Sequence, residues 1–156
     1  GQTPGIKWVN DIYIDGRKVS GILTEASISM ESGSVEYVVV GIGFNVYFPE
    51  DGFSREIENI AGAIFDQKKN DGKNLLAAGF LNHFMNYYAE FDKKDYVKKY
   101  QERSLVVGKE ITVFAPSGNR KALALEVDDT CALIVQYEDG STERLNSGEI
   151  SIRELQ

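Results

Sequence analysis

The chain has 156 residues, 42% of them hydrophobic, with a formal net charge of -7 and a single cysteine. That length and apolar content suit one ordinary globular domain, or a partial domain plus a small one, and the acidic balance argues against nucleic-acid binding through the chain's own surface. The lone thiol of Cys131 excludes an intrachain disulfide and a cysteine-rich zinc site, and it fits a reducing compartment, the cytoplasm by default.

No apolar run approaches the roughly 20 residues that span a bilayer. The opening Gly1-Gln2-Thr3-Pro4-Gly5 lacks the charged and apolar regions of a signal peptide, so a soluble protein is expected. The chain starts without a methionine and passes almost at once into strand-like sequence, which reads as a fragment.

From Trp8 to Asn45, β-branched and aromatic residues are punctuated by Asp15-Gly16 and Glu31-Ser32-Gly33-Ser34, both hairpin signals. Three antiparallel strands are predicted, roughly Val9 to Ile14, Lys18 to Met30 and Val35 to Val46. After Pro49 and Gly52, the residues Ile57, Ile60, Ala61, Ile64 and Phe65 recur at helical spacing behind Ser54, which predicts a short amphipathic helix with Ser54 as its N-cap. A polar loop, Lys68 to Lys73, leads into a longer helix from about Asn74 to Phe91, with Leu81, Phe84, Met85 and Tyr88 expected in the core.

A further helix, about Lys94 to Arg103, places Tyr96, Val97 and Tyr100 on its inner face, and a domain boundary is expected at its end, dividing residues 1–104 from 105–156. Beyond it short strands alternate with turns: Glu110 to Phe114, Lys121 to Val127, Ala132 to Tyr137, Thr142 to Leu145 and Ile150 to Ile152. About 50 residues with five strands at this spacing suggest a small barrel. The fold class is therefore α+β: a partial catalytic domain with an antiparallel or mixed sheet and packed helices, then a small SH3-like β-barrel.

If Asp15-Gly16 is a two-residue turn, Tyr13 lies opposite Lys18, Ile12 opposite Val19 and Asp11 opposite Ser20. Alternation then puts Asp11, Tyr13, Lys18 and Ser20 on one face, with Asp11 and Lys18 on a diagonal, their Cβ atoms about 7 to 8 Å apart. An ordinary solvated hairpin would look the same. Glycines inside strands, Gly21, Gly41 and Gly43, weigh the other way, because they cost stability and mark bulges or the approach of a ligand to backbone. Gly41-Ile42-Gly43-Phe44-Asn45 is not a dinucleotide fingerprint, since it lacks the third glycine and the βαβ context.

Three ordered signatures resemble those of the biotin protein ligase family: Lys7-Trp8-Val9-Asn10-Asp11-Ile12, then Lys18-Val19-Ser20-Gly21-Ile22-Leu23-Thr24-Glu25, then Gly41-Ile42-Gly43-Phe44-Asn45. The tail, Gly148-Glu149-Ile150-Ser151-Ile152-Arg153, resembles the end of the small C-terminal barrel of bacterial members. The resemblance implies a ligase that forms biotinyl-5'-adenylate from biotin and MgATP, then passes biotin to a lysine of the biotin carboxyl carrier protein. It implies catalytic roles for Lys18 and Asp11. Lys18 would contact the biotin carboxylate and the α-phosphate, where stabilising charge is needed. Asp11 would orient the acceptor lysine and help it lose its proton.

The resemblance further implies biotin contacts at Gly21, Leu23 and Gly41, and adenylate contacts at Asn45, Asn10, Phe44 and Arg153. Asn45 could instead simply close a strand into a turn, Leu23 is core on either reading, and Arg153 reads as readily as a surface charge. Trp8 is a packing residue, His83 a structural one, and Cys131 a small buried hydrophobe on a barrel strand. Mg2+ is implied by ATP chemistry without protein ligands.

Val9 replaces the usual proline and Phe44 a smaller aliphatic residue, which narrows the nucleotide side. The glycine- and arginine-rich loop that covers biotin and phosphate in the family would lie before Gly1, as would any DNA-binding domain. A homodimer stays open. So do two other functions: a lipoate or octanoate transferase, which shares the fold, and a non-catalytic module that docks a partner protein.

Overall fold

The computed structural model describes residues 3–116 and 118–152. By their internal contacts these fall into two units, one built on Asn10–Lys69 and the other on Pro4–Val9 together with the residues from Asn70 onward.

The first unit is a meander of β2 (Asp11–Ile14), β3 (Arg17–Ile28) and β4 (Val35–Phe44), all antiparallel neighbours. Asp15 and Gly16 both take positive φ, 50° and 73°, the twist a two-residue turn needs between right-twisted strands. The turn therefore forms as the sequence predicts, and Tyr13 faces Lys18. Farther from the turn the expected register fails. Ile12 pairs with Ser20 and Asp11 with Gly21, because Val19 is an extra residue opposite the Ile12-Tyr13 step. This bulge buries two consecutive side chains, Val19 at 2% exposure and Ser20 at 5%, which strict alternation forbids.

The expected helix after Gly52 is absent. Isolated turns replace it, with the amides of Ile57 and Glu58 both donating to the Ser54 carbonyl and that of Ala61 to Ile57. The chain cannot continue helically because it is drawn out alongside β3: Lys18 N donates to Ile60 O at 2.7 Å and Gly62 N to Lys18 O at 2.8 Å, a parallel bridge. A few residues later in the segment the same happens again, Phe65 N donating to Val46 O at 3.0 Å.

The second unit contains β1 (Gly5–Lys7), α1 (Gly72–Ala89), a 3-10 turn at Phe91–Lys93, α2 (Asp95–Glu102) and the strands β5 (Glu110–Phe114), β6 (Arg120–Val127), β7 (Leu133–Tyr137), β8 (Thr142–Leu145) and β9 (Glu149–Ile152). The last five form an antiparallel sheet in the order β8-β7-β6-β5-β9. Among the described residues no ladder joins β8 to β9, so the pairings are those of an open sheet rather than a closed barrel. Its inner face holds the main core, with Val106, Leu133 and Val135 fully buried and Ile111 and Ile150 nearly so. Trp8 joins this core at 3% exposure and donates its indole N–H to the Cys131 carbonyl at 3.0 Å, the packing role expected of it.

On α2, Val97 is buried and Tyr100 half-buried, its hydroxyl donating to Val9 O at 2.8 Å. Burial of Tyr100 raises its pKa, with proximity to Cys131 adding to the effect. The stripe of α1 departs from expectation. Leu81, Phe84, Met85 and Tyr88 are exposed rather than core, because an apolar helical stripe needs a facing layer and the described elements supply none over these side chains. Cys131 lies in the bend before β7 with φ 64°, not on a strand, and is half-buried; burial raises its pKa, with the Asp128 carboxylate acting the same way.

Candidate functional site

The bulge decides the geometry of the first hairpin. With Asp11 opposite Gly21, the Lys18 ammonium folds back and meets Asp11 Oδ1 at 2.6 Å, so the two groups close into an ion pair instead of facing each other across a diagonal. Gly21 makes the room. A Cβ there would stand 3.2 Å from Lys18 Nζ and 3.3 Å from Asp11 Oδ1, tighter than ordinary contacts. The lysine side chain keeps 39% of its exposure, so the pair contributes little to folding and its charge remains accessible to an anion. Tyr13 packs beside it; burial raises its pKa, and the Asp11 carboxylate raises it further.

Beside this pair opens a cavity of about 430 Å³, lined among others by Lys18, Gly21, Phe44 and Asn45. Gly21 and Gly43 face each other across β3 and β4, and nothing lies within 4 Å of where a Gly43 Cβ would be. At Gly43 the lining is therefore bare backbone, while Lys18 lies over Gly21. Asn45 is fixed by its main chain, N donating to Val19 O at 2.8 Å and O accepting from Ile64 N at 2.8 Å, while its side-chain amide donates to Lys18 O at 3.4 Å. Four residues outside the expected site complete the wall: Ser20, expected on the face of Lys18 but given no role, and Ile57, Ile60 and Ala61, whose periodicity reads as one helix face.

Other expected residues sit elsewhere. Leu23 and Gly41 are cross-strand partners farther along the sheet, on the face shared with Gly21 and Gly43 but outside the cavity lining. Leu23 is 64% exposed, so it is not the core residue expected; β3 and β4 are uncovered over much of this length, as Val38, Val39 and Val40 also are. The Asn10 side chain is engaged with the backbone, donating to the Ile22 carbonyl, while Ile22 N donates to Asn10 O at 3.0 Å. Arg153 lies outside the described residues. Among the described residues no three acidic, histidine or cysteine side chains form a metal-binding group, and no helix is long and apolar enough to cross a membrane.

A cation paired with a carboxylate beside a glycine-lined cleft is chemically suited to an anionic substrate that must lie against backbone. Two family models match the chain in order, the biotin/lipoate A/B protein ligase family over residues 3–45 and the biotin protein ligase C terminal domain over residues 106–153. The chain belongs to the biotin protein ligase family. Within that family it is 29% identical over 155 residues to the bifunctional ligase/repressor BirA of Bacillus spizizenii, matching 94% of this chain and 46% of that protein. It is 26% identical over 151 residues to the biotin--[acetyl-CoA-carboxylase] ligase of Mycobacterium tuberculosis, across 94% of this chain and 52% of that one. The chain thus spans about half the length of the curated relatives it matches.

A solved ligase of the family, the biotin protein ligase from Aquifex aeolicus in complex with biotin and ATP, superposes with a TM-score of 0.71 at 25% identity, covering 97% of this chain and 62% of that chain. The ligase family's fold is thereby present in its α+β form, with two antiparallel sheets and two α-helices among the described residues.

Proposed function

We propose that the whole protein, a cytoplasmic enzyme, joins biotin to a lysine of the biotin carboxyl carrier protein through biotinyl-5'-adenylate, and that this chain supplies one wall of the active site. The observation that carries the reading is the Lys18 and Asp11 pair over Gly21, beside a cavity that Lys18, Gly21 and Asn45 line. The solved relative with biotin and ATP bound supports both substrates.

Lys18 Nζ meets the biotin carboxylate and the α-phosphate and stabilises the charge brought together as the carboxylate attacks phosphorus and pyrophosphate leaves. In doing so it exchanges Asp11 for the substrate. The released carboxylate then orients the acceptor lysine and takes up its proton as the amine attacks the carbonyl of the mixed anhydride and AMP leaves. Gly21 and Gly41 let biotin lie close to backbone, Leu23 walls it, and Asn45 hydrogen-bonds the adenine, with Asn10, Phe44 and Arg153 completing the adenylate site. Magnesium arrives as MgATP, held by phosphate oxygens and water.

Residues 1–104 belong to the catalytic domain and 105–156 to a small C-terminal β-domain of five strands; the second family match, which starts at residue 106, supports that division. That match also favours biotin over lipoate. A homodimer is compatible with this assignment, and the chain itself, at net charge -7, has no role in contacting nucleic acid. In the full protein, Lys18→Ala lowers biotin-dependent ATP–pyrophosphate exchange on the order of 10²-fold or more. A wild-type rate in that variant rules the assignment out.

A further inference from the structure

Arg17 opens β3 one residue before Lys18, and its guanidinium reaches the segment that forms the apolar side of the cavity. Nη1 donates to the Glu58 carbonyl at 2.7 Å and lies 3.3 Å from the Ala61 carbonyl, which it also engages. The main chain makes the same joint through Lys18 N to Ile60 O and Gly62 N to Lys18 O. Gly62 is required for it: a Cβ there would stand 2.7 Å from Arg17 Cβ, a distance that real side chains do not adopt.

Apart from this joint, the segment is held by the burial of Ala61 and, farther along, by Ile64 N donating to Asn45 O and Phe65 N to Val46 O. Its internal hydrogen bonds are isolated turns rather than a helix. Ile57 and Ile60 remain 45% and 51% exposed, so burial does not anchor them either. A charged donor on two carbonyls is stronger than a neutral bond, and it ties the wall to the strand that carries Lys18.

We infer that Arg17 is a positioning residue for nucleotide binding, holding Ile57, Ile60 and Ala61 as a preformed apolar wall against which the planar base of ATP packs. The inference rests on the adenylation reading above. Preorganisation of this kind is expressed in affinity for the group that meets the wall. Biotin, which lies toward Gly21, is not that group.

In the full protein, pyrophosphate exchange is measured with ATP and biotin varied separately. Arg17→Ala raises KM for ATP about tenfold, as loss of a charged hydrogen bond would, and leaves KM for biotin unchanged. Gly62→Ala disrupts the same contact from the other side and gives the same ATP-selective defect; the double variant is no worse than the weaker single one. An unchanged KM for ATP in Arg17→Ala overturns the inference. So does a parallel rise for biotin, since the disturbance would then be reaching Lys18 rather than the wall. Absence of exchange in the wild-type protein sinks the adenylation reading itself, whereas an active wild type with an indifferent Arg17→Ala sinks only this inference.

Discussion

One missing side chain sets the arrangement on which the proposed chemistry depends. Gly21 costs the strand some stability, and in return Lys18 and Asp11 meet at 2.6 Å above it. Adding a branched side chain there would push both groups aside while leaving the ladder hydrogen bonds in place. Gly21→Val is therefore expected to lower adenylation on the order of 10²-fold, the cost of displacing a reacting group by about an ångström, with a much smaller change in thermal midpoint. Paired activity and melting measurements check this. Equal losses in both would mean that the glycine serves the fold alone. The glycines and charges of this hairpin were legible in the sequence, but their contact was not, because it depends on a bulge that the turn residues do not announce.

Among the elements, the β6 to β7 connection has the clearest electrostatic content. Asp128 accepts from the Thr130 hydroxyl at 2.7 Å, the Thr130 amide at 2.8 Å, the Ala132 amide at 3.0 Å and Arg144 Nε at 2.7 Å. These bonds, the Thr130 hydroxyl foremost, hold its carboxyl well below the ordinary value of 3.8. A depressed folded-state pKa contributes stability above the unfolded value and loses it as pH falls through the folded one. The urea midpoint of Asp128→Asn is thus expected to lie below that of wild type from neutral pH down to about 4, and the gap to narrow at more acid pH. A gap that persists undiminished to about pH 2 would refute the charge as its source. The strands and turns here follow from composition, whereas the segment after Ser54 does not. Its helical periodicity was real, but backbone bonding to Lys18 and Val46 outweighed it.

At the scale of the whole chain, apolar burial is unevenly shared. The second unit encloses Val106, Leu133 and Val135 completely, while in the first unit Val38, Val39 and Val40 are 53%, 53% and 44% exposed. Amide hydrogen exchange on this chain should therefore show the slowest exchange in β5 to β7 and much faster exchange over the outer half of β3 and β4, where opening exposes little new apolar surface. Uniform protection in both sheets would contradict that distribution. The exposure of the α1 stripe has the same origin: Leu81, Phe84, Met85 and Tyr88 have the pattern of a core face without a layer over it.

The order of the strands, the two-residue turn at Asp15-Gly16, the extent of α1 and α2 and the family itself could be read from the sequence, because each depends on local periodicity, turn chemistry or contiguous motifs. Tertiary structure alone decided that Asp11 and Lys18 touch, that Leu23 and the α1 stripe face outward, and that Ile57 to Ala61 wall the cavity instead of forming a helix. Each of these is set by a partner distant in sequence, an extra residue in a ladder, a missing covering layer, or a carbonyl that finds Arg17, and none of these leaves a local pattern to read.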